Sequence, residues 1–123
     1  MTVITRPDRP THETAGVQFT TLATPSRGTS ETSIWQVELP PGTPGLPHQV
    51  TREELFHILR GQLTVTINGE RHEASSGDTV AVPPDTTFEL ANNSGQPMRA
   101  LVCFPVGGQA RTGEGTFTPP WAE

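Results

Sequence analysis

The stretch GTPGLPHQVTREELFHILRG, residues 42–61, decides the fold. It opens with a loop rich in proline and glycine, continues as an apolar run, and ends in a further glycine. Proline and glycine interrupt regular elements, so the run is predicted to be a short strand between two turns. Alternation along this strand places Glu54, Phe56 and Ile58 on one face and His57 on the other.

The same signals recur on both sides of this stretch. No window carries helical apolar spacing without an interrupting proline or glycine. Asn68-Gly69 predicts a two-residue hairpin, because a tight primed turn needs positive φ at both central residues. Many short strands separated by turns are typical of an all-β sandwich or small barrel, which leaves few exposed edges. Eight strands are predicted, at residues 16–22, 33–39, 55–59, 62–67, 71–74, 79–82, 86–91 and 99–104.

The spacing of four residues in the first stretch resembles the first sequence motif of the cupin family. Gly42, His48, Glu54 and Gly61 fall at the motif positions, and Val50 stands where the family has a second histidine. The two glycines also lie where sharp chain reversals favour positive φ. This stretch is therefore similar to a cupin metal-binding motif that lacks one ligand.

A second stretch, GDTVAVPPDTTFELAN, resembles the second cupin motif. Gly77, Pro83 and Asn92 match, whereas Asp85 replaces the turn glycine and Phe88 replaces the histidine. Together the two motifs imply a cupin-type double-stranded β-helix, that is, a jelly-roll barrel in a single domain. We expect a small single-domain cupin with a degenerate metal site.

The resemblance implies a divalent metal held by three histidines and one glutamate inside the barrel. Val50 and Phe88 offer no lone pair at two of these positions, so only His48 and Glu54 would remain as metal ligands. We therefore favour no metal, although iron, manganese, zinc or nickel would be the candidates if a metal were bound.

His48 and Glu54 are the candidate catalytic residues, since a histidine and a carboxyl facing an apolar interior can move protons near neutral pH without a metal. An interior without a cation suits a small hydrophobic substrate. The residues expected to line this substrate pocket are Trp35, Val37, Val50, Phe56, Ile58, Phe88 and Cys103.

Three functions remain open. The first is a metal-independent acid-base enzyme of the isomerase, cyclase, dehydratase or lyase type. The second is a metal-dependent, dioxygenase-like cupin in which Cys103 or His57 supplies a third ligand. The third is a barrel that binds or senses a small molecule without turnover. A fold of this kind hosts many reactions, so it does not choose among them.

Composition excludes several other classes. The 123 residues include eight arginines, no lysine and no tyrosine, so lysine Schiff bases and tyrosine acids are absent. A net charge of −5 argues against nucleic-acid binding. Cys103 is the single cysteine, which excludes an internal disulfide and favours a reducing, cytoplasmic location. No apolar run is long enough for a signal peptide or a membrane span, so no membrane contact is expected.

The ends of the chain differ from its centre. We predict an N-terminal arm at residues 1–15, a barrel at 16–108 and a C-terminal arm at 109–123, both arms being polar and rich in proline, glycine or threonine. Such arms often pack on a partner subunit, with Trp121 as the anchor here. We therefore predict a homodimer. Separately, the presence of arginine without any lysine hints at a bacterial source.

Overall fold

A computed structural model describes residues 2–123, and within that range the chain forms strands and two single-turn 3₁₀ helices only. The helices are Pro25–Arg27 and Pro120–Ala122. The strands are β1 His12–Thr14, β2 Val17–Ala23, β3 Thr32–Leu39, β4 Gln49–Val50, β5 Glu54–Arg60, β6 Gln62–Ile67, β7 Glu70–Ser75, β8 Thr79–Val82, β9 Phe88–Ala91, β10 Met98–Pro105, β11 Ala110–Thr112 and β12 Gly115–Phe117.

The strands form two layers. One layer is a six-stranded sheet in the order β1-β2-β3-β10-β5-β8. The other consists of two three-stranded sheets, β12-β11-β4 and β7-β6-β9, which are connected by a single antiparallel bridge between His48 and Phe88. Strand β10 lies between β3 and β5 in the first layer. Between β3 and β12, successive strands alternate between the two layers several times, so the chain repeatedly crosses from one layer to the other. The predicted jelly-roll barrel is confirmed.

The core fills the space between the layers and follows the two-residue period of the strands. In β3, Trp35, Val37 and Leu39 are buried, whereas the alternate residues Ile34 and Gln36 are only half-buried. The other long strands, β5 and β10, show the same alternation. Each of these strands therefore has an inner face towards the core and an outer face towards solvent.

The turns that the sequence predicts are also present. Asn68 has φ 51° and Gly69 has φ 78°, as the primed hairpin between β6 and β7 requires. Gly61 has φ 80°, and a Cβ at this position would collide with the carbonyl oxygen of Pro97. Only glycine therefore fits between β5 and β6.

All eight predicted strands are observed, with ends that differ by at most two residues. Strands β1, β4, β11 and β12 were not predicted. Each is two or three residues long and lies in a segment with little apolar alternation. Their pairing depends on contacts with distant strands, which local sequence patterns do not reveal.

The two terminal segments pack on the body of the same chain. β1 lies at the edge of the six-stranded sheet, and β11 and β12 extend the opposite layer. Trp121 stacks on Phe19 with ring centroids 3.6 Å apart, and the Thr21 hydroxyl donates a hydrogen bond of 2.8 Å to the Trp121 carbonyl. Trp121 thus has an aromatic contact within its own chain, and its contact with a partner subunit stays a prediction.

Among residues 2–123, no helix has the length and apolar character needed to cross a bilayer.

Candidate functional site

His48 lies just before β4, where the two halves of the second layer meet. Its backbone exchanges two hydrogen bonds with Phe88, of 3.0 and 2.9 Å, and its ring lies 4.3 Å from the buried Phe88 ring. The Nδ1–H group donates a 2.8 Å hydrogen bond to the Leu46 carbonyl, because a carbonyl can only accept. This bond fixes the tautomer of the neutral imidazole, and Nε2 keeps its lone pair.

Glu54 is the first residue of β5 and shares the inner face with Phe56 and Ile58. It is 6% exposed and is the only ionisable side chain among the buried residues of the described chain. Burial raises the pKa of its carboxyl from 4.5 to about 8, because the charged form loses hydration in the apolar interior. A carboxyl with this raised pKa is mostly protonated at pH 7, so Glu54 can donate a proton at neutral pH.

The two candidate residues are not paired with each other. The ion pairs within residues 2–123 are Arg71–Glu73, Arg99–Glu38 and Arg111–Asp85, and neither His48 nor Glu54 takes part in one. The raised pKa of Glu54 agrees with this geometry, because burial is its only cause and no nearby cation opposes it. His48 and Glu54 therefore do not form an ion pair with each other.

Most of the predicted lining residues lie between the two layers. Phe56 and Phe88 approach to 6.2 Å between ring centroids, and Trp35 packs edge-on against Phe104 at 6.1 Å. The structure brings six of the seven into one buried cluster, namely Trp35, Val37, Val50, Phe56, Ile58 and Phe88.

Cys103 is the exception, and its predicted place in the pocket is corrected. Its neighbours Val102 and Phe104 are buried at 0% and 2% exposure, so the two-residue period of β10 puts the half-buried Cys103 on the outer face. Both faces of β10 carry apolar residues, which is why the sequence left its phase open. Val102 and Ala100 occupy the inner positions instead, and their register with Trp35 and Val37 would have identified them.

His57 lies on the outer face of β5, as the alternation predicts. Its Nδ1 is 2.8 Å from the Thr79 hydroxyl, on the neighbouring strand β8. It therefore points away from the side of the sheet that carries Glu54.

The donor set does not fit the divalent metal that cupin motifs imply. Within the described residues, no three side chains of histidine, cysteine, aspartate or glutamate come together. Val50 and Phe88 are buried at the two substituted positions, with Phe88 packed against the His48 ring. The third ligands considered above, Cys103 and His57, both lie on the outer face of the sheet.

Asn92, the last residue of the second motif, has a structural role. It is fully buried, and its amide nitrogen donates to the Leu39 carbonyl at 2.9 Å and to the Gln96 carbonyl at 2.8 Å. Its amide oxygen accepts hydrogen bonds from the backbone and hydroxyl groups of Ser94. Asn92 thus joins the end of β3 to the loop before β10.

Comparisons with known proteins agree with the fold. The Cupin domain family matches residues 35–104. An uncharacterized protein of Methanocaldococcus jannaschii is 33% identical over 72 residues, which is 58% of this chain and 58% of that protein. The chain thus spans less than two thirds of the length of this curated relative.

Solved structures show the same architecture. The plu4264 protein of Photorhabdus luminescens superposes with a TM-score of 0.70 at 20% identity, covering 84% of this chain and 87% of that one. The polyketide cyclase RemF of Streptomyces resistomycificus gives 0.67 at 18% identity, covering 83% and 73%. With more than half of its residues matched by the Cupin domain, and with the jelly-roll topology described above, this chain belongs to the cupin family.

Proposed function

We propose that the barrel is a metal-independent acid-base enzyme that moves a proton on a small hydrophobic molecule. The observation that carries the proposal is the buried Glu54 carboxyl, which stays largely protonated at neutral pH because it faces an apolar interior. His48 supplies the complementary base through its free Nε2. Isomerisation, cyclisation, dehydration and elimination can all use a general acid together with a general base.

Glu54 and His48 together donate and accept every proton that the reaction requires. Glu54 gives its proton to a carbonyl oxygen of the substrate while Nε2 of His48 removes a proton from the neighbouring carbon, which forms an enol. The Leu46 carbonyl accepts from Nδ1–H and so stabilises the imidazolium. Return of the proton to a different atom of the substrate gives the isomer, and the enol proton goes back to Glu54.

The lining favours a neutral aromatic or polyketide-like substrate. Trp35, Phe56 and Phe88 are buried aromatic residues of the interior, and no arginine belongs to the buried residues of the described chain. A substrate anion would therefore lose its hydration without gaining a partner. RemF, one of the fold relatives, is a polyketide cyclase, so ring-closing chemistry is compatible with this architecture.

Deuterium exchange tests the proposal. Phenylacetone and 2-tetralone would be incubated with the protein in D₂O, and NMR would follow exchange at the carbon next to the carbonyl. We expect exchange with the wild-type chain and a loss of about 100-fold or more in Glu54→Gln and in His48→Ala. Glu53→Gln and His72→Ala are matched controls, since both residues are exposed. Full exchange in both site variants would contradict the proposal.

The lack of a His48–Glu54 contact favours a second candidate, a barrel that binds a small molecule without turnover. In that case the same ketones would raise the melting temperature without exchange, and Glu54→Gln would still bind them. Thermal shift and exchange measured on the same samples separate the two functions.

The assembly and location remain predictions from the sequence. We propose a cytoplasmic homodimer, and light scattering that gives the mass of one chain at micromolar concentration would contradict the dimer.

A further inference from the structure

A groove of about 600 Å³ lies outside the barrel, on the opposite side of the six-stranded sheet from the core. Residues 6–10 form one wall, and the outer faces of β2, β3 and β10 form the floor. Its volume is within the range of small-molecule sites. It shares neither His48 nor Glu54 with the interior site.

The wall is held at both ends. The Arg27 guanidinium donates to the carbonyl oxygens of Thr5 and Leu22, which ties the chain before the wall to the end of β2. Beyond the wall, the Thr11 backbone donates to the Phe19 carbonyl at 2.9 Å, and the Thr11 hydroxyl accepts from the Thr21 backbone at 2.9 Å. The intervening segment begins and ends close to prolines with fixed φ, so the groove is formed in the free protein.

Arginine side chains are concentrated in this groove. Three of the eight arginines of the chain, Arg6, Arg9 and Arg99, line it, against the two carboxylates of Asp8 and Glu38. Arg99 is committed to Glu38 by an ion pair of 2.9 Å. Within residues 2–123, neither Arg6 nor Arg9 forms an ion pair. Two guanidinium groups are therefore available to an anion, in a protein whose net charge is −5.

The floor adds uncharged hydrogen-bonding groups. Thr20 of β2 pairs with Gln36 of β3, and Gln18 pairs with Glu38 in the next row, so the amides and the hydroxyl lie side by side on the outer face. Amide and hydroxyl groups in such an array can exchange hydrogen bonds with the hydroxyls of a ligand. This floor differs from the interior, where most of the buried side chains are apolar.

We propose that this groove binds a phosphate monoester with a hydroxylated body, such as a sugar phosphate. The phosphate would lie between Arg6 and Arg9, because two guanidiniums match a group of nearly two negative charges better than a single carboxylate. The hydroxylated body would lie over Gln18, Thr20 and Gln36. The site is thus a second ligand site, independent of proton transfer inside the barrel.

Glucose 6-phosphate is the test ligand, with binding followed by NMR shifts of backbone amides and by calorimetry. We expect Arg6→Gln combined with Arg9→Gln to weaken binding by about tenfold or more. Glu38→Gln should strengthen binding a few-fold, because it releases Arg99 from its ion pair. Arg52→Gln combined with Arg71→Gln matches the charge change of the double arginine variant, and Glu70→Gln matches that of Glu38→Gln. These residues are exposed and lie outside the groove, so both controls should leave binding within about twofold of the wild type.

Three results would overturn the proposal. The first is binding by the double arginine variant that equals the wild type, provided that circular dichroism shows both to be folded. The second is equal binding of glucose and glucose 6-phosphate, which would remove the role of the phosphate. The third is a set of shifted amides that lies outside residues 6–10 and strands β2, β3 and β10. Glu54→Gln should bind glucose 6-phosphate like the wild type, so failure of the proposed enzyme function would not affect this result.

Discussion

The two faces of the six-stranded sheet are built from alternate residues of the same strands, and their chemistry is opposite. On β3, the inner Trp35 is 2% exposed, whereas Gln36 and Glu38 lie on the outer face and line the groove. Glu38 forms a half-exposed ion pair with Arg99, and its charge is hydrated. Glu54 lies on the inner face, where burial raises the pKa of its carboxyl to about 8. The face of the strand on which a glutamate lies thus decides whether its carboxyl is a solvated surface group or a buried group that stays protonated at neutral pH.

The largest expected effect is the loss of unfolding free energy when an inner side chain of the sheet is truncated. Trp35→Ala removes a buried indole from the inner face and should cost about 4 kcal/mol, through lost burial and the cavity left behind. Gln36→Ala, one residue along on the outer face, should stay within about 0.5 kcal/mol of the wild type. Urea unfolding of both variants measures the two changes in unfolding free energy. Equal changes would contradict the assignment of Trp35 to the inner face and Gln36 to the outer face.

The next effect is the pH dependence of stability caused by Glu54. Its folded pKa, about 8, exceeds its unfolded value of 4.5, so between these values the folded state binds more protons and stability falls as pH rises. The loss contributed by this group between pH 4.5 and 7 should be about 3 kcal/mol. Glu54→Gln should remove this slope and be more stable than the wild type at pH 8. Glu38→Gln on the outer face should keep the slope, which urea unfolding across this pH range would show.

The smallest expected effect concerns the outer face itself. Arg99→Gln breaks an ion pair whose side chains are 44% and 32% exposed, so it should cost less than about 1 kcal/mol and less still at high salt. Thermal unfolding at low and high salt checks both statements. A cost of several kcal/mol would mean that the outer face is buried by another molecule in solution.

The strands of the fold could be predicted from the sequence because apolar alternation and turn residues are local. Asn68-Gly69 and the inner faces of β3 and β5 needed no further information. The phase of β10 could not be predicted, since the outer residues Leu101 and Cys103 are as apolar as the inner residues of the same strand, which are Ala100, Val102 and Phe104. The stacking of Trp121 on Phe19 joins residues about a hundred positions apart, beyond any local pattern.

The candidate site was predictable in part for the same reason. Motif spacing identified His48 and Glu54, and alternation placed Glu54 inside. The motif also identified Asn92, but its hydrogen bonds to the Leu39 and Gln96 carbonyls, which give it a structural role, appear only in three dimensions. The outer groove was not predicted, because it depends on where Arg27 and Thr11 hold the N-terminal segment.

Titration of the Glu54 carboxyl itself tests most directly whether the barrel interior holds a protonated acid at neutral pH. Carboxyl ¹³C NMR of protein labelled at glutamate would follow each resonance from pH 3 to 10, with Glu54 assigned by its absence in Glu54→Gln. We expect a midpoint near 8 for Glu54. A midpoint near the ordinary glutamate value of about 4.3 would contradict the buried acid on which the proposed function rests.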